Sequence, residues 1–171
     1  MIGRAAIVGG SMSGLLAALI LSRNGWLVDI YESSRRELSG RGAGIITHSG
    51  MNVALAAAGV EVSDDLGVPV KGRHVYKLDG TVNCSIDFPQ INTSWDRLFD
   101  LLKSALPDGC YHLGKRLTGV ETDAAGAELT FEDGDHVCAD LVVGADGFRS
   151  AVRGSFLPDV RMGSRAGGFT R

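Results

Sequence analysis

Gly9, Gly10, Ser11, Met12, Ser13 and Gly14 follow a short apolar run, Ala5 to Val8, and precede an apolar segment that reaches Leu21. Gly9 can turn the chain sharply out of a strand, and Gly14, lacking a Cβ, lets the next helix pack close to that strand. A helix opened this way presents free N–H groups and the positive end of its dipole, which suits a pyrophosphate. A second β-rich run, Leu27 to Tyr31, ends at Glu32, eighteen residues after Gly14. A carboxylate there can accept hydrogen bonds from both hydroxyls of an adenosine ribose, and it favours an unphosphorylated sugar, as in FAD or NAD. Ser11 stands where a glycine usually lets the backbone approach the phosphates. It must keep a compatible backbone or bond a phosphate oxygen through its hydroxyl. The alternative is a tight strand-to-helix turn that binds nothing.

A second stretch has similar character. Asp140 to Val143 reads as a buried strand ending in Gly144-Ala145-Asp146-Gly147 and running into a helix start, with Ser150 and Arg153 one turn apart on one face. Loops at the carboxyl ends of parallel strands are where open α/β sheets hold ligands. A third stretch, Ser39 to Ile45, carries Gly40, Gly42 and Gly44 at alternate positions, either for close backbone approach to a ligand or as a surface loop. His48 and His74 read as surface residues, and no residue is assigned as a catalytic base.

The elements that must position these groups follow from pattern. A helix from Ser13 to about Asn24 is apolar on nearly every face, which suits cover on both sides. Met51 to Ala58 is an alanine-rich helix stopped by Gly59. From Val70 to Phe88 the period becomes that of strands, with Asp79-Gly80 as a hairpin turn and Val82, Cys84, Ile86 and Phe88 alternating with polar neighbours. This hairpin, residues 70–90, interrupts the nucleotide-binding pattern and is expected to begin a second, substrate-side sheet. Thr93-Ser94-Trp95-Asp96 caps a helix that Pro107-Asp108-Gly109 stops, and three strands (Leu117 to Glu121, Glu128 to Phe131, His136 to Ala139) form a small antiparallel meander.

Composition sets limits. A chain of 171 residues can bury about two-thirds of its unfolded surface in one domain. A net charge of −3 without clustered Lys and Arg argues against a nucleic-acid surface. Cys84, Cys110 and Cys138 lack metal or disulfide spacing and read as reduced thiols, so the expectation is a cytoplasmic protein without a metal site. The segment Leu15 to Leu21 lies inside the glycine motif and ends at a Gly25 helix cap, which argues against a signal peptide or a membrane span.

The glycine motif with Glu32, the Gly42-Ala43-Gly44-Ile45 loop, the Thr93-Ser94-Trp95-Asp96 helix start and the Gly144-Ala145-Asp146-Gly147-x-x-Ser150-x-x-Arg153 stretch together resemble the FAD-dependent aromatic hydroxylases of the para-hydroxybenzoate hydroxylase type. Ser11 and Trp95 are most similar to the 2,6-dihydroxypyridine 3-monooxygenase branch. The resemblance implies an α/β fold: a Rossmann-like FAD-binding domain with a parallel sheet, a small meander and an inserted hairpin. It also implies that Gly9, Gly10, Ser11, Ser13 and Gly14 hold the FAD pyrophosphate, that Glu32 with Ser33 meets its adenosine ribose, and that Leu117 offers its backbone to the adenine. Gly44 would sit in the glycine loop of the site, while Asp146 and Gly147 would serve FAD and incoming NAD(P)H. Many members have Arg where this chain has Ser33 and Trp95.

The activity implied is hydroxylation of an electron-rich aromatic or hydroxypyridine ring with NAD(P)H and O₂. The family continues for about as many residues again, so residues 1–160 are expected to be an incomplete, truncated FAD-binding domain and 161–171 an irregular tail. An apolar sheet face left open would favour a homo-oligomer or a complementing chain. An NAD-binding dehydrogenase fragment and a non-catalytic remnant are the competing readings.

Overall fold

The computed structural model describes residues 2–38, 40, 43–61, 63 and 66–160. Ser39, Arg41 and Gly42 of the glycine loop and the tail 161–171 lie outside the described residues.

A parallel sheet carries the motifs. Strands β1 (Arg4–Val8), β2 (Leu27–Glu32), β6 (Tyr111–Leu113) and β10 (Leu141–Gly144) lie in the order β10-β1-β2-β6, every pair parallel. The register sets Val8 beside both Tyr31 and Gly144, so the turns after β1, β2 and β10 emerge at one edge. Alternation along β1 and β2 sends side chains to opposite faces. Ala5, Ile7, Val28 and Ile30 pack with Leu15, Leu19, Leu98, Phe99 and Leu102 on one face, while Ala6, Val8 and Tyr31 pack with Val120, Leu129, Phe131 and Ala139 on the other. The first set belongs to helices α1 (Met12–Arg23) and α3 (Trp95–Ser104), the second to the meander β7 (Leu117–Asp123), β8 (Gly126–Phe131) and β9 (His136–Ala139). The expected meander is present with the order β7-β8-β9.

Helix α1 buries Gly14, Leu15, Ala18 and Leu19 and half-buries Leu16, Ala17, Ile20 and Leu21, leaving Ser13 and Arg23 exposed. Its apolar girth matches cover on more than one side. Helix α3 starts where the sequence places it: the Ser94 hydroxyl accepts from the Arg97 N–H at 3.1 Å. Helix α2 (Ser49–Ala57) is capped by His48, whose Nδ1 accepts from the Met51 N–H. His48 and His74 are both exposed, as expected.

The structure adds detail that the sequence pattern does not carry. Strand β6, only three residues long, leaves no pattern in the sequence. Gly44 opens a strand, β3 (Gly44–Ile46), because its backbone pairs antiparallel with Ser94 instead of staying in a loop. The hairpin is longer than residues 70–90: β4 (Val68–Tyr76) and β5 (Val82–Ser94) join β3 in a separate sheet ordered β3-β5-β4. Ser150 lies just outside the short helix α4 (Ala151–Phe156) as its cap, its hydroxyl accepting from the Arg153 N–H one turn on. The alternation of Val82, Ile86 and Phe88 implies a buried side, yet each of these residues is at least half exposed.

Candidate functional site

The edge where the parallel strands end holds a cavity of about 460 Å³. Its walls come from the turn after β1 (Gly9, Gly10, Ser11), the end of β2 (Tyr31, Glu32, Ser33), the start of α3 (Trp95), the approach to β7 (Lys115, Arg116, Leu117) and the loop after β10 (Ala145, Asp146, Gly147, Arg149). Eight of the eleven residues singled out from sequence are therefore brought together: Gly9, Gly10, Ser11, Glu32, Ser33, Leu117, Asp146 and Gly147. Gly14 lies behind the wall, Ser13 is exposed on the first turn of α1, and Gly44 pairs with Ser94, next to Trp95.

The glycine turn shows why its residue types are required. Gly9 adopts φ +107°, a left-handed backbone that side chains rarely tolerate, and a Cβ on it would lie 2.4 Å from the Ala145 carbonyl oxygen. A Cβ on Gly14 would lie 1.9 Å from the Gly9 oxygen, so α1 meets β1 at backbone contact. Ser11 is the N-cap of α1 in extended backbone, φ −85° and ψ −171°, and its side chain makes no capping hydrogen bond. The first turn of α1 carries no acid. A hydroxyl and the positive end of a helix thus border the cavity together.

Glu32 is buried, and its carboxylate ties two turns together. Oε2 accepts from the Gly10 N–H at 2.8 Å, while Oε1 accepts from the Ser34 N–H at 2.8 Å and the Ser33 hydroxyl at 3.3 Å. Two carboxylate oxygens offer about four lone-pair sites and these bonds use three, so one site on Oε2 remains for a sugar hydroxyl. Asp146 is used differently. It accepts from the Ser150 hydroxyl at 2.5 Å, from the Ala151 N–H at 2.6 Å and from the Val152 N–H at 3.2 Å. Ser150 in turn accepts from the Arg153 N–H at 2.9 Å. These bonds hold the bend at Gly147, which has φ +74°.

Three residues in or beside the site have no role assigned from the sequence. Tyr111 donates its hydroxyl to the Gly10 carbonyl at 2.9 Å. Tyr31 is sandwiched between His112, at 5.1 Å between ring centroids, and Phe131, at 4.9 Å, so it fastens the meander to the sheet beside the cavity. Burial, and after it the negative charge of Asp29, pushes its phenol up to about 12. Lys115 bonds Asp133 at 2.6 Å and also Asp135, and these partners hold its ammonium above and the Asp133 carboxyl below their ordinary ranges. Its charge is therefore committed to the β8–β9 turn. The aromatic rings follow no sequence period, since each partner pair is distant along the chain.

A parallel sheet with a glycine turn, an acid at the end of the second strand and an uncapped helix at their common edge defines a dinucleotide-binding domain. Residues 4–165 match the family described as FAD binding domain, and the chain belongs to that family. The 2,6-dihydroxypyridine 3-monooxygenase of Paenarthrobacter nicotinovorans is 38% identical over 155 residues, which cover 90% of this chain and 39% of that protein. The solved structure of 2,6-dihydroxypyridine-3-hydroxylase from Arthrobacter nicotinovorans superposes with a TM-score of 0.82 at 37% identity, covering 92% of this chain and 40% of that one. A tetrameric form of 2-methyl-3-hydroxypyridine-5-carboxylic acid oxygenase is similar at a TM-score of 0.75 and 29% identity, over 90% of this chain and 42% of that one. The chain spans about two-fifths of the length of the relatives it matches.

FAD is the cofactor of this family, and the donor set fits it: a cradle that Cβ atoms would fill, a helix end without a side-chain cap, and a buried carboxylate with acceptor capacity to spare. No helix among the described residues is long and apolar enough to cross a membrane.

Proposed function

We propose that this chain is the FAD-binding part of a flavoprotein monooxygenase that hydroxylates an electron-rich aromatic or hydroxypyridine ring with NAD(P)H and O₂. The observation that carries the reading is the cavity into which separate segments of the chain bring Gly9, Gly10, Ser11, Glu32, Ser33, Leu117, Asp146 and Gly147. In it, Gly9, Gly10 and Ser11 face the diphosphate, with Ser13 beside the cavity on the first turn of α1 and Gly14 allowing the close approach of that helix. Glu32 with Ser33 accepts the ribose hydroxyls and Leu117 meets the adenine. Asp146 keeps its loop bent so that Gly147 offers backbone to the cofactor and to incoming NAD(P)H, and Gly44 steadies the wall at Trp95. Bound FAD supplies the redox chemistry and the oxygen transfer. The protein's share is to bind and orient it.

The names of the relatives support a hydroxypyridine-like substrate. A tetrameric relative and the exposed apolar side chains of β4 and β5 support assembly, with a second copy or a complementing chain. Residues 1–160 act as the FAD-binding unit, the β3-β5-β4 sheet faces the substrate side, and the protein works in the cytoplasm.

Incubation with excess FAD followed by gel filtration and a visible absorption spectrum tests this. An oxidised-flavin band co-eluting with the protein is expected. A colourless protein would overturn the reading, and enhanced NADH fluorescence on titration of that colourless protein would favour a dehydrogenase.

A further inference from the structure

Gly10 is held on both sides by side chains from neighbouring strands. Its N–H donates to Glu32 on β2, and its C=O accepts from Tyr111 on β6 at 2.9 Å, across a separation of 101 residues. The fit is tight: a Cβ on Gly10 would lie 2.2 Å from the Tyr111 hydroxyl oxygen and 2.9 Å from the Glu32 Cβ. The Tyr111 ring is itself fixed, half-buried against the core with the Lys103 ammonium 4.9 Å from its centroid.

The Gly10 carbonyl and the Ser11 N–H belong to one planar trans peptide and point in opposite directions. A hydroxyl that holds the carbonyl on the β6 side therefore directs the Ser11 N–H away from β6. Ser11 lines the cavity. We propose that Tyr111 is a positioning residue for the cofactor: by fixing the Gly10 carbonyl, it aims the Ser11 N–H at the diphosphate of FAD. This rests on the FAD reading above and adds a residue to it. Tyr111 touches no cofactor atom in this scheme and acts through one peptide plane. A turn fixed before binding loses less freedom on binding, so the effect falls on affinity.

The test is Tyr111→Phe, which keeps the ring and removes only the hydroxyl. FAD affinity by calorimetry is expected to fall about 5- to 10-fold, the share of one hydrogen bond. In ¹⁵N-labelled protein, added FAD is expected to move the Ser11 amide proton downfield in the parent chain and not in the variant. A variant that binds FAD within about twofold of the parent, or that keeps the same Ser11 response, overturns the inference. So does a parent chain that binds FAD while its Ser11 amide stays unmoved, a result that needs no variant to fold. A parent chain that takes up no FAD overturns the functional reading itself and is distinguishable from all of these.

Discussion

Helices α1 and α4 both start at the same cavity, and their first turns are finished in opposite ways. At α4 the chain uses up its own donors: Asp146 accepts from the Ala151 and Val152 N–H groups and from the Ser150 hydroxyl, and Ser150 accepts from Arg153. At α1 the N-cap is also a serine, yet its side chain caps nothing and no acid follows. A helix end whose donors are consumed internally can only shape a loop. One without such a cap can receive an anion. Under the proposed function this difference divides the labour of the site, with α1 for the diphosphate and Asp146 for the bend at Gly147.

The contrast can be broken most severely at its base. Even a Cβ at position 14 would lie 1.9 Å from the Gly9 carbonyl oxygen, and Gly14→Val adds two methyl groups beyond it. A loss of about 3 kcal/mol in urea unfolding is expected, from overpacking at a contact that cannot relax, together with loss of FAD uptake. An unchanged midpoint would show that α1 does not need its close approach to β1.

Tyr31 supports the meander face on which α4 rests. Because folding raises its phenol from 10.0 to about 12, the stability it contributes is fully present below about pH 10 and is lost as pH rises through about 12. Two pH units correspond to roughly 3 kcal/mol. Tyr31→Phe should remove this part of the alkaline decline in denaturant midpoints from about pH 9 to about pH 12. Identical slopes for parent and variant would contradict it.

Asp146→Ala strips the donors of α4 of their acceptor. It should cost about 1–2 kcal/mol of stability, read from the urea midpoint at constant slope, and weaken FAD binding through the loop. The sharpest and smallest contrast sets the two serines side by side. Ser150→Ala should cost about 1 kcal/mol as a lost cap, whereas Ser11→Ala should leave stability within about 0.5 kcal/mol and alter only FAD affinity. Equal stability losses at the two positions would erase the distinction between the helix ends.

What could be read from sequence was mostly what is local. Gly9 to Gly14 and Glu32 are legible because a turn, a helix start and a strand end impose residue types within a short stretch of chain, and Asp79-Gly80, Ser94 and the meander turns are legible for the same reason. Strand β6 escaped because Tyr111-His112-Leu113 is too short for a period to show, and its place is fixed by pairing with Ile30, Tyr31 and Glu32 far away in the chain. The grip of Tyr111 on Gly10 escaped with it. Gly44 looked like loop because its strand exists only by pairing with Ser94 on β5. The alternation of Val82, Ile86 and Phe88 correctly marked a strand but implied cover that the described residues do not supply.

The central claim is that the edge built by the glycine turn and Glu32 holds FAD, and calorimetric titration of FAD into the parent chain and Glu32→Ala tests it most directly. The account predicts one FAD per chain for the parent and at least about tenfold weaker binding for the variant, given that hydrogen bonds to a charged group contribute about 1.5–3 kcal/mol. A parent chain that binds no FAD, or a variant that binds it equally well, would contradict it.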